Sequence, residues 1–290
     1  MTVRFEEISY DADHKKYPGR VIYGSENSKD AKAWLYVRNN DYICGQFLWT
    51  GIDFLGECRG WPSRISQAGL IDLAGFEKPG YYHRKAMWTD EPFVKIAVGH
   101  EDDKWNGPES ETFFWNDEAG RMMRVSIYTN QAECELFLNG KSLGKKETED
   151  DFRSVWMVPF EKGELTARSH DAKDQIKTSE KAESILLAPD KNTLSKHAQS
   201  IAQIEVFLLD ANKNPAASDE EIHFQITGDA EIIGIENGKC DDLTPYFDKY
   251  RTTHLSRAIV YVRSGIMEGE ITLHAFTRSG LYAKAHLHQA

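Results

Sequence analysis

The sequence predicts a mostly β chain in which a short α/β segment precedes two β-sandwiches, and three observations carry that reading. Up to about residue 90, apolar residues fall in two nearly continuous short runs separated by a stretch at helical spacing. From Glu91-Pro92 onward the period moves toward two, and short alternating segments recur between polar turns. Five of the seven tryptophans, Trp34, Trp49, Trp61, Trp88 and Trp105, lie in the first 105 residues, which separates two regimes of construction.

The first apolar run, Arg20 to Tyr23, ends at a Gly24-Ser25-Glu26 turn; the second runs from Tyr42 to Trp49 and ends at Thr50 to Asp53. Between them, Ala31, Trp34, Leu35 and Val37 stand at near-helical spacing within Asp30 to Asn39. The order strand, helix, strand predicts a parallel crossover, and the continuous apolar character predicts strands covered on both faces. Residues 54 to 80 form a long Gly-rich connection containing Trp61-Pro62-Ser63-Arg64 and Lys78-Pro79. Its length and apolar content predict a functional loop. A helix is expected from Tyr81 to Trp88, just after Pro79-Gly80.

Short alternating segments at Phe93–Val98, Met123–Tyr128, Cys134–Leu138, Ser154–Val158 and Gly163–Ala167 predict the first sandwich. Asn139-Gly140 is a hairpin signal, because a type I′ turn needs positive φ at both central positions. The polar stretch from Asp171 to Glu183 is the expected linker. Segments at Ser184–Leu187, Ala202–Leu208, Ile222–Ile226, Ala258–Val262 and Glu270–Ala275 repeat the same grammar. The expected domains are therefore residues 1–90, 91–182 and 183–290. His286 and His288 could share one strand face, although an unordered tail is the plainer expectation.

Composition narrows the function. The formal net charge of -11 argues against nucleic acid or an anionic membrane as a partner. Cys44, Cys58, Cys134 and Cys240 form no CxxC pair and no zinc-like spacing. The ten histidines, His197 among them, show no HExxH or paired-ligand pattern, and there is no Gly-rich phosphate loop. Neither a metal nor another cofactor is expected. No apolar run reaches the roughly 18 residues that membrane insertion needs. The first residues, Met1 to Glu7, contain no apolar signal core, which leaves the compartment unassigned.

Chemistry collects at the two strand ends. Glu26 stands where a parallel α/β sheet presents catalytic groups. Trp49 closes the second strand, Asp53 and Glu57 follow it, and the next loop supplies Trp61, Arg64 and Lys78. An aromatic ring beside carboxylates and cations suits a sugar, whose C–H face stacks while its hydroxyls make charge-assisted hydrogen bonds. The same residues could equally be a surface carboxylate, a core tryptophan and surface ion pairs. A retaining glycosidase needs two carboxyl groups about 5–5.5 Å apart. Glu26 can be one, and neither Asp53 nor Glu57 is identified by position as the other.

The segments Tyr17 to Asn27, Asp41 to Glu57, Trp61 to Arg64 with Gly69 to Lys78, and Val125 to Asn130 leading to Glu135–Gly144 resemble glycoside hydrolase family 2. The likeness is to bacterial β-galactosidase-like members and covers essentially the whole chain. It implies an α/β remnant of a (β/α)8 TIM barrel, its strands seven and eight, followed by two immunoglobulin-like β-sandwich domains. It implies Glu26 as the catalytic nucleophile and Trp49 beside the sugar subsite. Asp53, Trp61, Arg64 and Lys78 would be substrate-binding residues of the loop that shapes the active-site wall.

The family's acid/base glutamate follows an Asn, and no such segment precedes Tyr17. The chain is thus expected to carry the nucleophile without its acid partner and to be inactive alone, since loss of the acid commonly costs about 10²–10⁴-fold in rate. The expected partners are a β-linked sugar or oligosaccharide, and the missing N-terminal part of the enzyme or a second copy. The competing reading is a non-catalytic carbohydrate-binding or interaction module built from the sandwiches, with Trp105, Trp115, Tyr246 and Tyr250 as exposed aromatics.

Overall fold

A computed structural model describes residues 7–103, 107–195 and 199–290; Trp105 and His197 lie outside the described residues. The fold is mostly β, with few short helices and several sheets. The chain divides into two compact units. The first gathers residues up to Glu57 with Ser66–Asp72 and Phe76–Thr178; the second gathers Cys58–Ile65, Leu73–Gly75 and Ser179–Ala290.

The first unit opens with α1 (Glu7–Lys16), β1 (Ile22–Asn27), α2 (Ala31–Arg38) and β2 (Ile43–Leu48). The expected crossover is present: β1 and β2 pair in parallel, with Ile22 opposite Ile43 and Asn27 opposite Leu48. One face of the pair is closed by a cluster of Tyr10, Ile22, Val37 and Ile43, with Trp34, Tyr36 and Tyr42 against it. Helix α1, with Tyr10 buried, is a finding the apolar pattern did not announce.

Two expectations are corrected here. The strands are not covered on both faces: Val21 is 73 % exposed, Tyr23 56 % and Phe47 65 %. With only two strands in this sheet, the cluster on one side closes one face and leaves the other open. The Gly24-Ser25-Glu26 segment is also not a turn, since β1 runs through it to Asn27. Gly24 permits this, because a Cβ there would collide with Asn27 Oδ1 and the Tyr10 hydroxyl.

The two-residue strands β3 (Phe54–Leu55) and β4 (Ile65–Ser66) interrupt the long connection, and α3 (Pro79–Trp88) follows. This helix starts at Pro79 rather than Tyr81, because proline's missing N–H and fixed φ suit the first helical turn.

The rest of the first unit is β5 (Val94–His100), β6 (Met122–Thr129), β7 (Glu133–Leu138), β8 (Lys141–Glu147), β9 (Arg153–Pro159), β10 (Glu164–Arg168) and β11 (Lys173–Lys177). They form sheets ordered β5-β6-β9 and β11-β10-β7-β8. Side chains from both sheets, among them Ile96, Val125, Leu136 and Leu165, make one core. The β7–β8 hairpin turns at Asn139 and Gly140 with φ of 52° and 78°, as the sequence predicts. Trp115 is fully buried in that core and donates from Nε1 to the Glu161 carbonyl at 2.9 Å, so it packs rather than projects.

The predicted linker is corrected in its first half. Residues 173–177 are a strand paired with β10, with Ile176 in the core and Asp174 accepting the Ile96 N–H at 2.8 Å. A single inward apolar residue among charged neighbours hid it.

The second unit contains β12 (Ser184–Pro189), β13 (Thr193–Leu194), β14 (Ile201–Leu209), β15 (Glu221–Thr227), β16 (Ala230–Glu236), β17 (Tyr250–Thr252), β18 (Arg257–Ser264), β19 (Gly269–Thr277) and β20 (Tyr282–Gln289). Its sheets run β12-β14-β18-β16 and β13-β20-β19-β15-β17. Ile204 and Val260 from one meet Phe224, Leu273 and Leu287 from the other in a single core. Strand β20 replaces the unordered tail: His286 meets Thr272 at 3.2 Å and His288 meets Glu270 at 3.1 Å. No described helix is long and apolar enough to cross a membrane.

Leu273 is fully buried at the centre of the second core. Leu273→Ala should destabilise that unit by about 2–5 kcal/mol through lost transfer energy and the cavity left behind, read as a lower urea midpoint with native circular dichroism retained in buffer.

Candidate active site

Glu26 is the penultimate residue of β1 and is half-buried. Trp49 follows β2 directly, and its N–H donates to the Asn27 carbonyl at 2.9 Å. That bond extends the parallel ladder past Leu48, so Glu26 and Trp49 stand on adjoining strands at the same, C-terminal end. The open face of the pair is aromatic. Tyr23 meets Phe47 edge to face at 6.0 Å, and Trp49 meets Phe54 in the same way at 5.6 Å. Trp49 is 45 % exposed. The Trp49–Thr50 peptide is cis.

Residues that sequence reasoning passed over hold this strand end. Asn27 is fully buried and donates from Nδ2 to the Tyr10 hydroxyl at 3.3 Å. Arg84 on α3 is buried, and its Nη2 donates to the Lys29 carbonyl at 2.8 Å, with Ser28 and Asp30 carbonyls at 3.4 and 3.5 Å. The guanidinium also lies 5.4 Å from the Trp88 ring centre. Burial pushes the Arg84 pKa down to about 10 against the opposing pull of Asp30. Helix α3 is itself fixed by the neighbouring residue, His83, whose Nε2 meets the Asp151 carbonyl at 2.6 Å while its ring stacks on Tyr128 at 4.7 Å. Burial lowers the His83 pKa, with the Asp151 carbonyl opposing it.

The structure joins two of the expected site residues to each other. Lys78 Nζ reaches both Asp53 carboxylate oxygens, at 2.8 and 3.0 Å. Residues 67–70 close over the pair: the Gly69 N–H donates to Asp53 Oδ1 at 2.8 Å, and Lys78 also donates to the Gln67 carbonyl at 3.2 Å. Asp53 is buried, and burial lowers the Lys78 pKa while Asp53 raises it. A Cβ on Gly69 would collide with the Asp53 amide nitrogen, so only glycine allows this approach. The pair locks the start of the long connection to its end. Glu57 is exposed, with φ of 45°.

Trp61 and Arg64 belong to the second unit. Arg64 donates from Nε to the Asp242 carbonyl at 2.5 Å, bonds the Tyr246 hydroxyl, and lies 3.3 Å from Glu236. Trp61 is exposed on the turn that Arg64 anchors. Among the described residues, no group of three or more His, Cys, Asp or Glu side chains could hold a metal ion. Tyr246 is occupied by Arg64, whereas Tyr250 is exposed.

Comparison with known proteins bears on the whole chain. Residues 185–284 match the model described as glycoside hydrolase family 2 C-terminal domain 5, and residues 120–176 match a domain of unknown function, DUF4982. The chain is 32 % identical over 271 residues to beta-galactosidase BoGH2A of Bacteroides ovatus, covering 90 % of this chain and 30 % of that protein. It is 27 % identical over 243 residues to a putative beta-glucuronidase of Formosa agariphila, covering 76 % of this chain and 22 % of the relative. A crystal structure of a glycosyl hydrolase family 2 member from Bacteroides cellulosilyticus superposes with a TM-score of 0.93 at 27 % identity, over 99 % of this chain and 41 % of that one. A beta-glycosidase from Bacteroides vulgatus gives 0.79 at 26 % identity, over 95 % and 35 %. The chain therefore spans less than half the length of each of these four.

Two measurements test the supports of this strand end. Lys78→Met leaves the buried Asp53 carboxylate uncompensated and should cost about 3 kcal/mol in urea denaturation. For His83, the folded pKa lies below the unfolded value of about 6.5, so the unfolded chain binds the proton first. Stability is then lost as pH falls through about 6.5, and His83→Gln should flatten the stability profile between about pH 7 and 5.

Proposed function

From membership of glycoside hydrolase family 2, as a C-terminal, β-sandwich-bearing portion of a bacterial β-galactosidase- or β-glucuronidase-like enzyme, we propose that this chain supplies the nucleophile and one sugar-stacking wall of a retaining exo-β-glycosidase. Residues 1–90 are then the end of a (β/α)8 barrel, and residues 91–182 and 183–290 are immunoglobulin-like sandwiches. The single observation that carries the reading is the parallel β1–β2 pair extended by the Trp49-to-Asn27 hydrogen bond, which sets Glu26 beside Trp49 at strand ends.

In the proposed reaction a Glu26 oxygen attacks the anomeric carbon while the bond to the leaving oxygen breaks, giving a covalent glycosyl-enzyme. Water then attacks the same carbon and releases Glu26 as carboxylate. Trp49 stacks on the sugar's C–H face, with the rings of Tyr23, Phe47 and Phe54 forming the apolar floor. The Asp53–Lys78 lock holds the loop that follows, so those two residues act on the sugar through the shape of the wall. The substrate is a terminal β-galactoside or a similar β-linked sugar.

Protonating the leaving oxygen needs an acid opposite Glu26, contributed by further barrel strands or another copy packed on the open face. This chain by itself should therefore react only with glycosides whose leaving group needs no proton.

An activated fluoro-sugar β-galactoside with a dinitrophenol leaving group tests this. It should add one glycosyl mass to the peptide containing Glu26, and Glu26→Gln should abolish the adduct while Trp49→Ala slows it about tenfold or more. An adduct on another residue, or one that survives Glu26→Gln, would overturn the assignment.

A further inference from the structure

The second unit contains a cleft of about 500 Å³, within the size range of small-ligand sites, whose lining includes Asp219, Asn237, Lys239, Asp241, Asp242 and Leu243. Its inner wall is rigid. Arg251 is fully buried and its Nη1 lies 3.1 Å from Asp242, which also accepts from Asn237 Nδ2 at 2.6 Å and the Thr244 N–H at 2.8 Å. Asp219 Oδ1 accepts from Thr253 Oγ1 at 3.0 Å and the Ser256 N–H at 2.7 Å. The rim is looser: Lys239 and Asp241 are exposed and 3.4 Å apart, a pair held weakly enough to open toward a ligand.

An indole is fastened to the same loop. The Arg64 N–H donates to the Cys240 carbonyl at 2.9 Å and its Nε to the Asp242 carbonyl at 2.5 Å, which fixes the short turn from Trp61 to Arg64 against the segment whose side chains line the cleft. Trp61 is 81 % exposed there, and Leu243 is 48 % exposed on the lining itself. An exposed indole on a turn bonded to the cleft's own segment, and a wall of preorganised carboxylates, amide and ammonium, offer the two surfaces a sugar needs: a ring for C–H faces and polar groups for hydroxyls.

We infer that this cleft of the second unit is a binding site for a neutral oligosaccharide, with Trp61 as its stacking ring. Charge selects the class. Arg251 answers Asp242 and Lys239 answers Asp241, which leaves Asp219 in excess, so an anionic uronate is repelled while hydroxyls donate to the carboxylates. A metal ion is disfavoured by the donor set, since among the described residues no three carboxylates, thiols or imidazoles converge.

Isothermal titration of the 290-residue chain with cellotetraose and with galactotetraose should give saturable binding to at least one. Trp61→Ala and, separately, Asp241→Ala, both at exposed positions where folding is spared, should each weaken it about tenfold, whereas Trp49→Ala should leave it unchanged. Trigalacturonate should bind at least about tenfold more weakly. Absence of saturation with both tetrasaccharides, binding unmoved by Trp61→Ala and Asp241→Ala, equal binding of trigalacturonate, or saturable uptake of calcium alone that Asp241→Ala removes would each overturn the inference. Loss of binding on Trp49→Ala alone would place the sugar at the Glu26 strand end and overturn it as well.

Discussion

The parallel pairing of Ile22–Asn27 with Ile43–Leu48 is the constraint on which the functional geometry depends. In a parallel pair both strands finish at the same edge, so the residues that end them become neighbours in space although about twenty positions separate them in the chain. The Trp49 N–H bound to the Asn27 carbonyl carries the ladder to its last rung and sets the indole beside the strand that bears Glu26. An antiparallel pairing of the same two segments would send the glutamate and the indole to opposite ends. Parallel pairing in turn needs the crossover helix, and Ala31, Ala33 and Val37 give that helix a small buried face that fits against the sheet.

A two-stranded parallel sheet has little stability of its own, because its ladder is short and one face is bare. Beyond the apolar cluster on its closed face, its supports are polar and lie outside the sheet. Arg84 collects the carbonyls of Ser28 to Asp30, His83 ties the same helix to the Asp151 carbonyl, and the Asp53–Lys78 pair shuts the loop behind Trp49. Buried cations and carboxylates are costly unless they find partners: Arg84 finds backbone carbonyls through Nη2 alone, whereas Asp53 finds the Gly69 amide and Lys78. Such bonds fix backbone position directly, which the proposed placement of a carboxylate beside a ring requires. The exposed Tyr23, Phe47 and Trp49 are the complement of that arrangement, an apolar surface left open on the bare face.

Much of this was legible in the residues. The strand–helix–strand order, the Asn139-Gly140 hairpin and ten alternating segments were all readable from apolar period and turn chemistry, because each is decided within a few neighbouring positions. Helix α1 was not, and neither was strand β11, which has a single inward apolar residue, Ile176, and local pattern cannot rise from one point. The bare sheet face was hidden for another reason: Tyr23 and Phe47 read as core, and only the number of strands in the sheet decides whether a second layer exists. Trp49 stood out by its position after β2, and Glu26 by its place at the end of an apolar run although it lies inside β1, whereas Arg84 and His83 gave no signal. A basic pair on a short helix reads as solvated surface until tertiary contacts bury it. Asp53 and Lys78 were seen as members of one site, and the structure shows them as partners of each other.

The most direct measurement is a crystal structure of the complete polypeptide carrying this chain, grown with a β-galactoside-shaped inhibitor. The proposed geometry requires the inhibitor's anomeric position against the Glu26 carboxylate and its C–H face on the Trp49 indole, with the two strands still paired in parallel. An inhibitor seated with its anomeric centre on another carboxylate and no contact to either residue would contradict it.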